Sequence, residues 1–399
     1  MNAHSLRCIY AAVVFSFSTS QALALTYTIT TIADTTSAFT DFPDAAATIN
    51  NSGTVAYKAE VSSSNLNIYS SASGTPIITN QLYASEPVIS DSGTVAIAMD
   101  DGAGVMGVYN GTLGSFIIDN TGSIYEDFSD VAINSSDTVA FVGEFNSGVD
   151  FAIAKTPPLS ALADTTGTFS DFGDSGINDS GTVMYIARFD TGSTASLYSS
   201  ASATPIFSTT NILTAAINNN ETIAYTDTTA VYTNTAGTVL SSGGTFNSFA
   251  RVAINNTDTL AVLGEDTSGN SAIHAYNGFT LDKVIDTNDL LAPNSITVGF
   301  NMGRYAINDS GQIVFWATYV DLGTFTSVEG IYLATPNVLL GDTNANGIVN
   351  SADYLLLTQF LLGLKTPTAS QITAGDMNLD AVLTPSDLLL HLRTIMGYI

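Results

Sequence analysis

One phrase recurs along this chain and constrains its fold: an isoleucine, a turn rich in Asn, Asp, Ser and Gly, then a β-prone run. It is clearest at Ile177-Asn178-Asp179-Ser180-Gly181-Thr182-Val183-Met184-Tyr185. Copies begin at Ile49, Ile89, Ile133, Ile177, Ile217, Ile254 and Ile307, at spacings of 40, 44, 44, 40, 37 and 53 residues. Asn, Asp and Gly tolerate positive φ, and short polar side chains bond their own backbone two residues on, so each copy reads as a hairpin. In the run after the turn, Val55 and Tyr57 point to one face and Thr54 and Ala56 to the other. Few of these positions are charged in any copy, which predicts strands covered on both faces. Small residues on one side and large ones on the other suit a sheet packed between two similar sheets.

Two more strand-like runs separate the copies. Asn67-Ile68-Tyr69-Ser70 and Pro76-Ile77-Ile78-Thr79, with Gly74 between them, reappear as Leu197-Tyr198-Ser199 and Pro205-Ile206-Phe207. Four short strands in about 40 residues is the period of a propeller blade. The expected fold is therefore mainly β, a seven-bladed β-propeller with four-stranded blades. An open β-solenoid and a two-sheet sandwich are the competing architectures. A further run, Tyr27 to Asp34, precedes the first copy and matches Leu159 to Asp164, so it could complete the last blade and close the ring. The repeats resemble secreted bacterial tandem-repeat proteins whose units read Asn-x-x-Gly-x-x-Ala-Phe. The match runs through Asn50, Gly53, Ala56 and Tyr57, then Asn178, Gly181 and Tyr185, then Asn308, Gly311 and Phe315. Ser90, Asp137, Glu221 and Asp258 depart from it. The resemblance supports the fold and says little about a ligand.

Charge narrows the partners. The chain has 36 acidic and 9 basic residues, with only 11% of residues charged. Little is available to neutralise phosphates, so a nucleic-acid partner is excluded as an expectation. The same surplus argues against anionic membranes and fits a soluble secreted protein or cation binding. Arg7, the apolar stretch from Cys8 to Phe17 and Ala22-Leu23-Ala24 read as a secretory signal with cleavage after Ala24. That apolar run is short of the ~20 residues that span a bilayer, and no second long one follows, so no membrane span is expected. Cys8 is the single cysteine and lies in the leader, which leaves no disulfide framework. The expected division is a signal peptide at 1–24, a repeat domain at 25–339 and a tail at 340–399.

The tail carries the specific chemistry. Two twelve-residue stretches, Asp342 to Asp353 and Asp376 to Asp387, place oxygen donors at positions 1, 3, 5 and 12: Asp342, Asn344, Asn346 and Asp353, then Asp376, Asn378, Asp380 and Asp387. An EF-hand loop delivers calcium ligands at this spacing, with a backbone carbonyl at position 7 (Ile348, Val382) and position 9 (Asn350, Thr384) often acting through water. Gly347 supplies the bend at position 6, where the second loop has Ala381. Each loop runs into an apolar helix, Tyr354 to Leu362 and Leu388 to Met396, and neither is expected to have a helix before it. Leu355, Leu356, Phe360, Leu361, Leu388, Leu389, Leu392 and Ile395 are the expected small core. A pair of loop-plus-exiting-helix units with Asp at position 12 resembles a type I dockerin over residues 341–399. That resemblance implies two calcium ions, calcium-dependent folding and docking onto a cohesin module of another extracellular protein. It also implies that positions 10 and 11 help choose the partner: Ser351 with Ala352, and Pro385 with Ser386.

Catalysis has few parts to work with. His4 leaves with the leader and His391 sits on a tail helix, so His274 is the one histidine of the repeats. It reads as a strand residue, and Trp316 as a blade residue. Ser-His-Asp, Cys-His and His-based zinc chemistry lack components. Paired carboxylates remain, since glycoside hydrolysis needs only two. The candidates recur as Phe39-x-Asp41-Phe42-x-Asp44, Asp127-Phe128-x-Asp130 and Phe169-x-Asp171-Phe172-x-Asp174. One active site needs one pair, so repetition points to turn or cation roles. The expected function is a secreted non-catalytic protein that docks through its tail and presents the propeller to a glycan or protein ligand. The alternatives are an extracellular carbohydrate-active hydrolase or lyase of polysaccharide degradation, and a tail that only caps the propeller.

Overall fold

The computed structural model describes residues 26–398 other than 44–45, 63–65, 82, 112–113, 191–193, 345–347, 368 and 381. The expected leader, with its cleavage site, lies outside the described residues, as do Asp44, Asn346, Gly347 and Ala381. Two compact units divide the chain, Ala24–Asn337 and the segment from Val338 to Ile399.

The first unit is a seven-bladed β-propeller of four-stranded antiparallel sheets. Six blades take four consecutive strands each, from β2 (Ala47–Ile49) through β25 (Leu281–Asp286). The seventh orders its strands β1-β28-β27-β26, with β1 Tyr27–Asp34, β26 Ser295–Asn301, β27 Ile313–Asp321 and β28 Thr326–Pro336. The N-terminal run thus pairs antiparallel with the last strand, Tyr27 opposite Pro336 and Asp34 opposite Gly330, and closes the ring.

In the first six blades the first strand runs into the isoleucine that opens the repeated phrase, and the second strand starts just after the phrase's turn. The large residues of that second strand pack toward one neighbouring blade and the small one toward the other: Val55 and Tyr57 join the cluster shared with the seventh blade, Ala56 the cluster shared with the second. Burial on both faces is what each copy's paucity of charge implied. Across the second and third strands of a blade, Tyr57 stacks on Tyr69, Tyr185 on Tyr198, Tyr225 on Tyr232 and Phe315 on Tyr332.

The phrase's Asn works in two directions. Within its own copy the Asn50 Oδ1 accepts from the amides of Ser52 and Thr54, which closes the turn. Its Nδ2 donates to the Ser90 carbonyl of the next blade, and Asn134, Asn178, Asn218, Asn255 and Asn308 repeat this to residues 178, 218, 255, 308 and 50, at 2.8–3.2 Å. A belt of carboxamides therefore runs round the axis, broken only where Ser90 replaces Asn.

The second unit holds α1 (Ser351–Leu361), α2 (Ala369–Gly375) and α3 (Pro385–Ile395). Two expectations fail here. The second calcium loop does follow a helix: α2 is too short to show a period, and Ala374 is its buried anchor. The core also differs from the one expected. Leu355, Leu389 and Leu392 are exposed, at 58%, 54% and 37%, and Phe360, which is buried as expected, is joined in the interior by Leu357, Ala374 and His391. With helices of 11 residues, only one narrow stripe of each can be covered.

Candidate functional sites

In each tail loop the position-12 aspartate organises the rest. Asp353 and Asp387 are fully buried, and neither makes an ion pair among the described residues. Asp353 Oδ1 accepts from the Asn344 amide and Oδ2 from the Asn350 amide, at 2.9 and 3.0 Å. Asp387 does the same with the amides of Asn378 and Thr384, at 3.2 and 2.9 Å. Each carboxylate thus ties loop position 3 to the cap of the helix that leaves the loop, since Asn350 and Thr384 are the N-caps of α1 and α3. In the second loop, the Asp380 amide donates to Asp376 Oδ1 and Asn378 Oδ1, which draws positions 1, 3 and 5 together.

Buried carboxylates without a cation are costly, and oxygen donors are what calcium takes. Asp342 and Asp376 at position 1 are buried as well. Among the described residues no three acidic, histidine or cysteine side chains converge on one point. The loops would complete a calcium shell with the side-chain amides of Asn344 and Asn378, the hydroxyl of Thr384 and the carbonyls of Ile348 and Val382. The donor set fits a hard cation. Ser351, Ala352, Pro385 and Ser386 are all exposed on the first turns of α1 and α3, where a partner could reach them.

On the propeller the structure separates the candidate acids into two structural roles. Asp41, Asp127 and Asp171 each accept from the amide of the phenylalanine that follows, at 2.6–2.8 Å. Asp130 and Asp174 come together, but around a residue the sequence reasoning did not single out. Arg304 Nη1 lies 2.7 Å from Asp130 and 3.4 Å from Asp174, and Nη2 donates to the Val131 carbonyl. Both acids also hold the next blade, Asp130 through the Ser175 amide and Asp174 through the Ala215 amide. Burial and the nearby Asp174 push the Asp130 carboxyl up to about 6, against the pull of Arg304 and Ser175.

Arg304 belongs to the seventh blade and its partners to the third and fourth, so its side chain crosses the axis. It can do so because β26 stops at Asn301 and residues 302–306 leave the strand. Tyr305 goes with it and packs among residues of the second to fourth blades, with the guanidinium 5.5 Å from its ring centre. Beside Tyr305 a cavity of about 110 Å³ is lined by the seven phrase isoleucines and a rim that includes Asp91, Asp179 and Asp309. The clue was available: Asp130, Asp174 and Arg304 each stand three residues before their phrase isoleucine.

The remaining candidates fit quiet roles. His274 is buried in β24 (Ser271–Tyr276) against Phe246, and burial lowers its pKa to about 4. Trp316 lies in β27 and packs against the cluster of the seventh and first blades. Among the described residues no helix is long and apolar enough to cross a membrane.

Fold and tail together define a class: a seven-bladed β-propeller followed by a helical module with two EF-hand-like loops. Residues 340–395 match the family Dockerin type I domain, and this segment is such a domain. Dockerin type I domains bind calcium and dock onto cohesins, and proteins that carry them are typically extracellular. No curated protein matches the chain. A chain of the solved structure "Crystal Structure of Mitotic Checkpoint Complex" aligns at 11% identity over 83% of this chain and 98% of that one, with a TM-score of 0.46.

Proposed function

We propose that this is a secreted, non-catalytic assembly protein, which docks through its tail onto a cohesin-bearing extracellular partner and uses the propeller as a recognition module. The observation that carries the reading is the matched pair of loop and helix units, each with a buried Asp at position 12 and exposed residues at positions 10 and 11. Two calcium ions would be held, one by Asp342, Asn344, Asn346, Ile348, Asn350 and Asp353, the other by Asp376, Asn378, Asp380, Val382, Thr384 and Asp387. Ser351 with Ala352 and Pro385 with Ser386 would contact the cohesin. The non-catalytic half of the reading is supported by what the acids already do. Asp130 and Asp174 share the one guanidinium of Arg304 and are bonded to backbone, which argues against either acting as a nucleophile beside a separate acid.

The test uses the full chain against immobilised recombinant type I cohesin modules and against plant and algal polysaccharides. Capture by a cohesin in calcium, weakened by Ser351→Asp or Ser386→Asp, together with polysaccharide binding that releases no reducing sugar, is the expected result. Steady release of reducing sugar, abolished by Asp130→Asn, would establish a hydrolase instead.

A further inference from the structure

We propose that His391, in the second half of the tail, is a positioning residue for the first calcium loop. The inference rests on the calcium reading of the two loops. A shift of 34 residues superposes the halves in sequence, Asp342 on Asp376 and Asp353 on Asp387, and it also places Gly341 on Gly375 and Leu357 on His391. The structure repeats that correspondence in space. A Cβ at Gly375 would meet the Leu357 side chain at 3.0 Å, and one at Gly341 would meet the His391 ring at 3.5 Å. Leu357 and His391 are both fully buried. One half therefore packs a leucine against the glycine that precedes its partner loop, and the other packs a histidine.

The histidine adds a hydrogen bond that leucine cannot make. Its Nε2 meets the Gly341 carbonyl. A carbonyl only accepts, so Nε2 is the donor, and Nδ1 is buried without a partner among the described residues. An unsatisfied ring nitrogen in a small core is a cost that leucine would avoid. Packing alone does not call for histidine here.

What it holds is the entry to the first loop. Gly341 sits at φ +94°, and its amide donates to the Ala374 carbonyl at 2.7 Å. Both polar groups of Gly341 are thus held by the second half, the amide by α2 and the carbonyl by α3. The next residue, Asp342, is loop position 1, so the carbonyl bond to His391 holds the peptide plane that leads into the first ligand, and the amide bond holds the plane before it. Groups that orient metal ligands typically change affinity 10–100-fold when removed.

The test is a calorimetric calcium titration of the full chain in two backgrounds. Asp380→Ala removes a donor from the second loop without touching α3, and Asn344→Ala removes one from the first. In the Asp380→Ala chain, His391→Leu is expected to weaken the remaining loop about tenfold, and His391→Gln, which can donate to the same carbonyl, to recover most of it. In the Asn344→Ala chain, His391→Leu should leave calcium affinity unchanged. First-loop affinity unaltered by His391→Leu overturns the proposal, and so does an equal loss at both loops, which would make His391 only a core residue. A wild-type chain that takes up no calcium would instead overturn the calcium reading beneath it.

Discussion

At the scale of single residues, the departures from the repeated phrase have reasons that the structure supplies. The turn needs positive φ, and Gly53, Gly93, Gly181 and Gly311 adopt it at +73° to +87°. Asp137, Glu221 and Asp258 adopt it too, at +58° to +61°, where a side chain is strained. Each reaches the preceding copy: Asp137 accepts from Ser90, Ser92 and Thr94, Glu221 from Thr182, and Asp258 from Asn218. Where Ser90 breaks the carboxamide belt, Asp137 bridges the gap. The belt should matter most where the ring closes. Asn308→Ala orphans the part-buried amides of Ser310 and Gln312 and removes the bond across to the Asn50 carbonyl, so it should cost about 2 kcal/mol in thermal unfolding. His274 gives a pH prediction. Its folded pKa of about 4 lies below its ordinary 6.5, so the unfolded chain binds its proton first as pH falls. Stability from this group is complete above pH 6.5 and declines toward pH 4, by at most about 3 kcal/mol. His274→Tyr, the residue at the corresponding place in the blades with Tyr69 and Tyr198, should flatten the pH dependence of the melting temperature in that window.

At the scale of elements, the helices of the tail depend on the loops that precede them. α1 and α3 are 11 residues each, too short to persist alone in water, and the tail's interior is a handful of side chains. Calcium binding should therefore supply their stability. Adding chelator to the full chain should remove the helical part of the far-ultraviolet circular dichroism and leave the β signal in place. Helical signal that persists in chelator would refute this. The same elements mark what the sequence did and did not disclose. The hairpins, the blade count and both loops were legible because their determinants are local: an Asn that bonds its own backbone, and oxygen donors at fixed offsets. Ring closure by β1 was visible as a spare strand of the right pattern. The exposure of Leu355 and Leu389 was not, because an apolar run on a short helix does not say which side is covered. Nor was α2, whose seven residues offer no period. Arg304 was missed because its partners lie 130 and 174 residues earlier in the chain, although the offset of three from each isoleucine was there to be read.

At the scale of the molecule, the propeller is held in three ways that reinforce one another. β1 closes the ring at its rim, the carboxamide belt links neighbouring blades, and Arg304 ties the seventh blade across the axis to the third and fourth. The last is a largely but not fully buried charge cluster, and removing one partner leaves the others uncompensated. Arg304→Met should cost about 3–5 kcal/mol, and adding Asp130→Asn and Asp174→Asn should return part of it. With blade cores of Ile, Val, Ala and stacked tyrosines the propeller is expected to stay folded without metal, and the dockerin module to depend on it. Assembly with a partner through a calcium-ordered tail can be measured by sedimentation of the full chain with a type I cohesin module. A one-to-one complex should form in calcium, dissociate in chelator and fail to form when Asp353 and Asp387 are both changed to Ala. A complex that survives chelator or that double substitution would contradict it, as would the absence of a complex with any type I cohesin while calcium is bound.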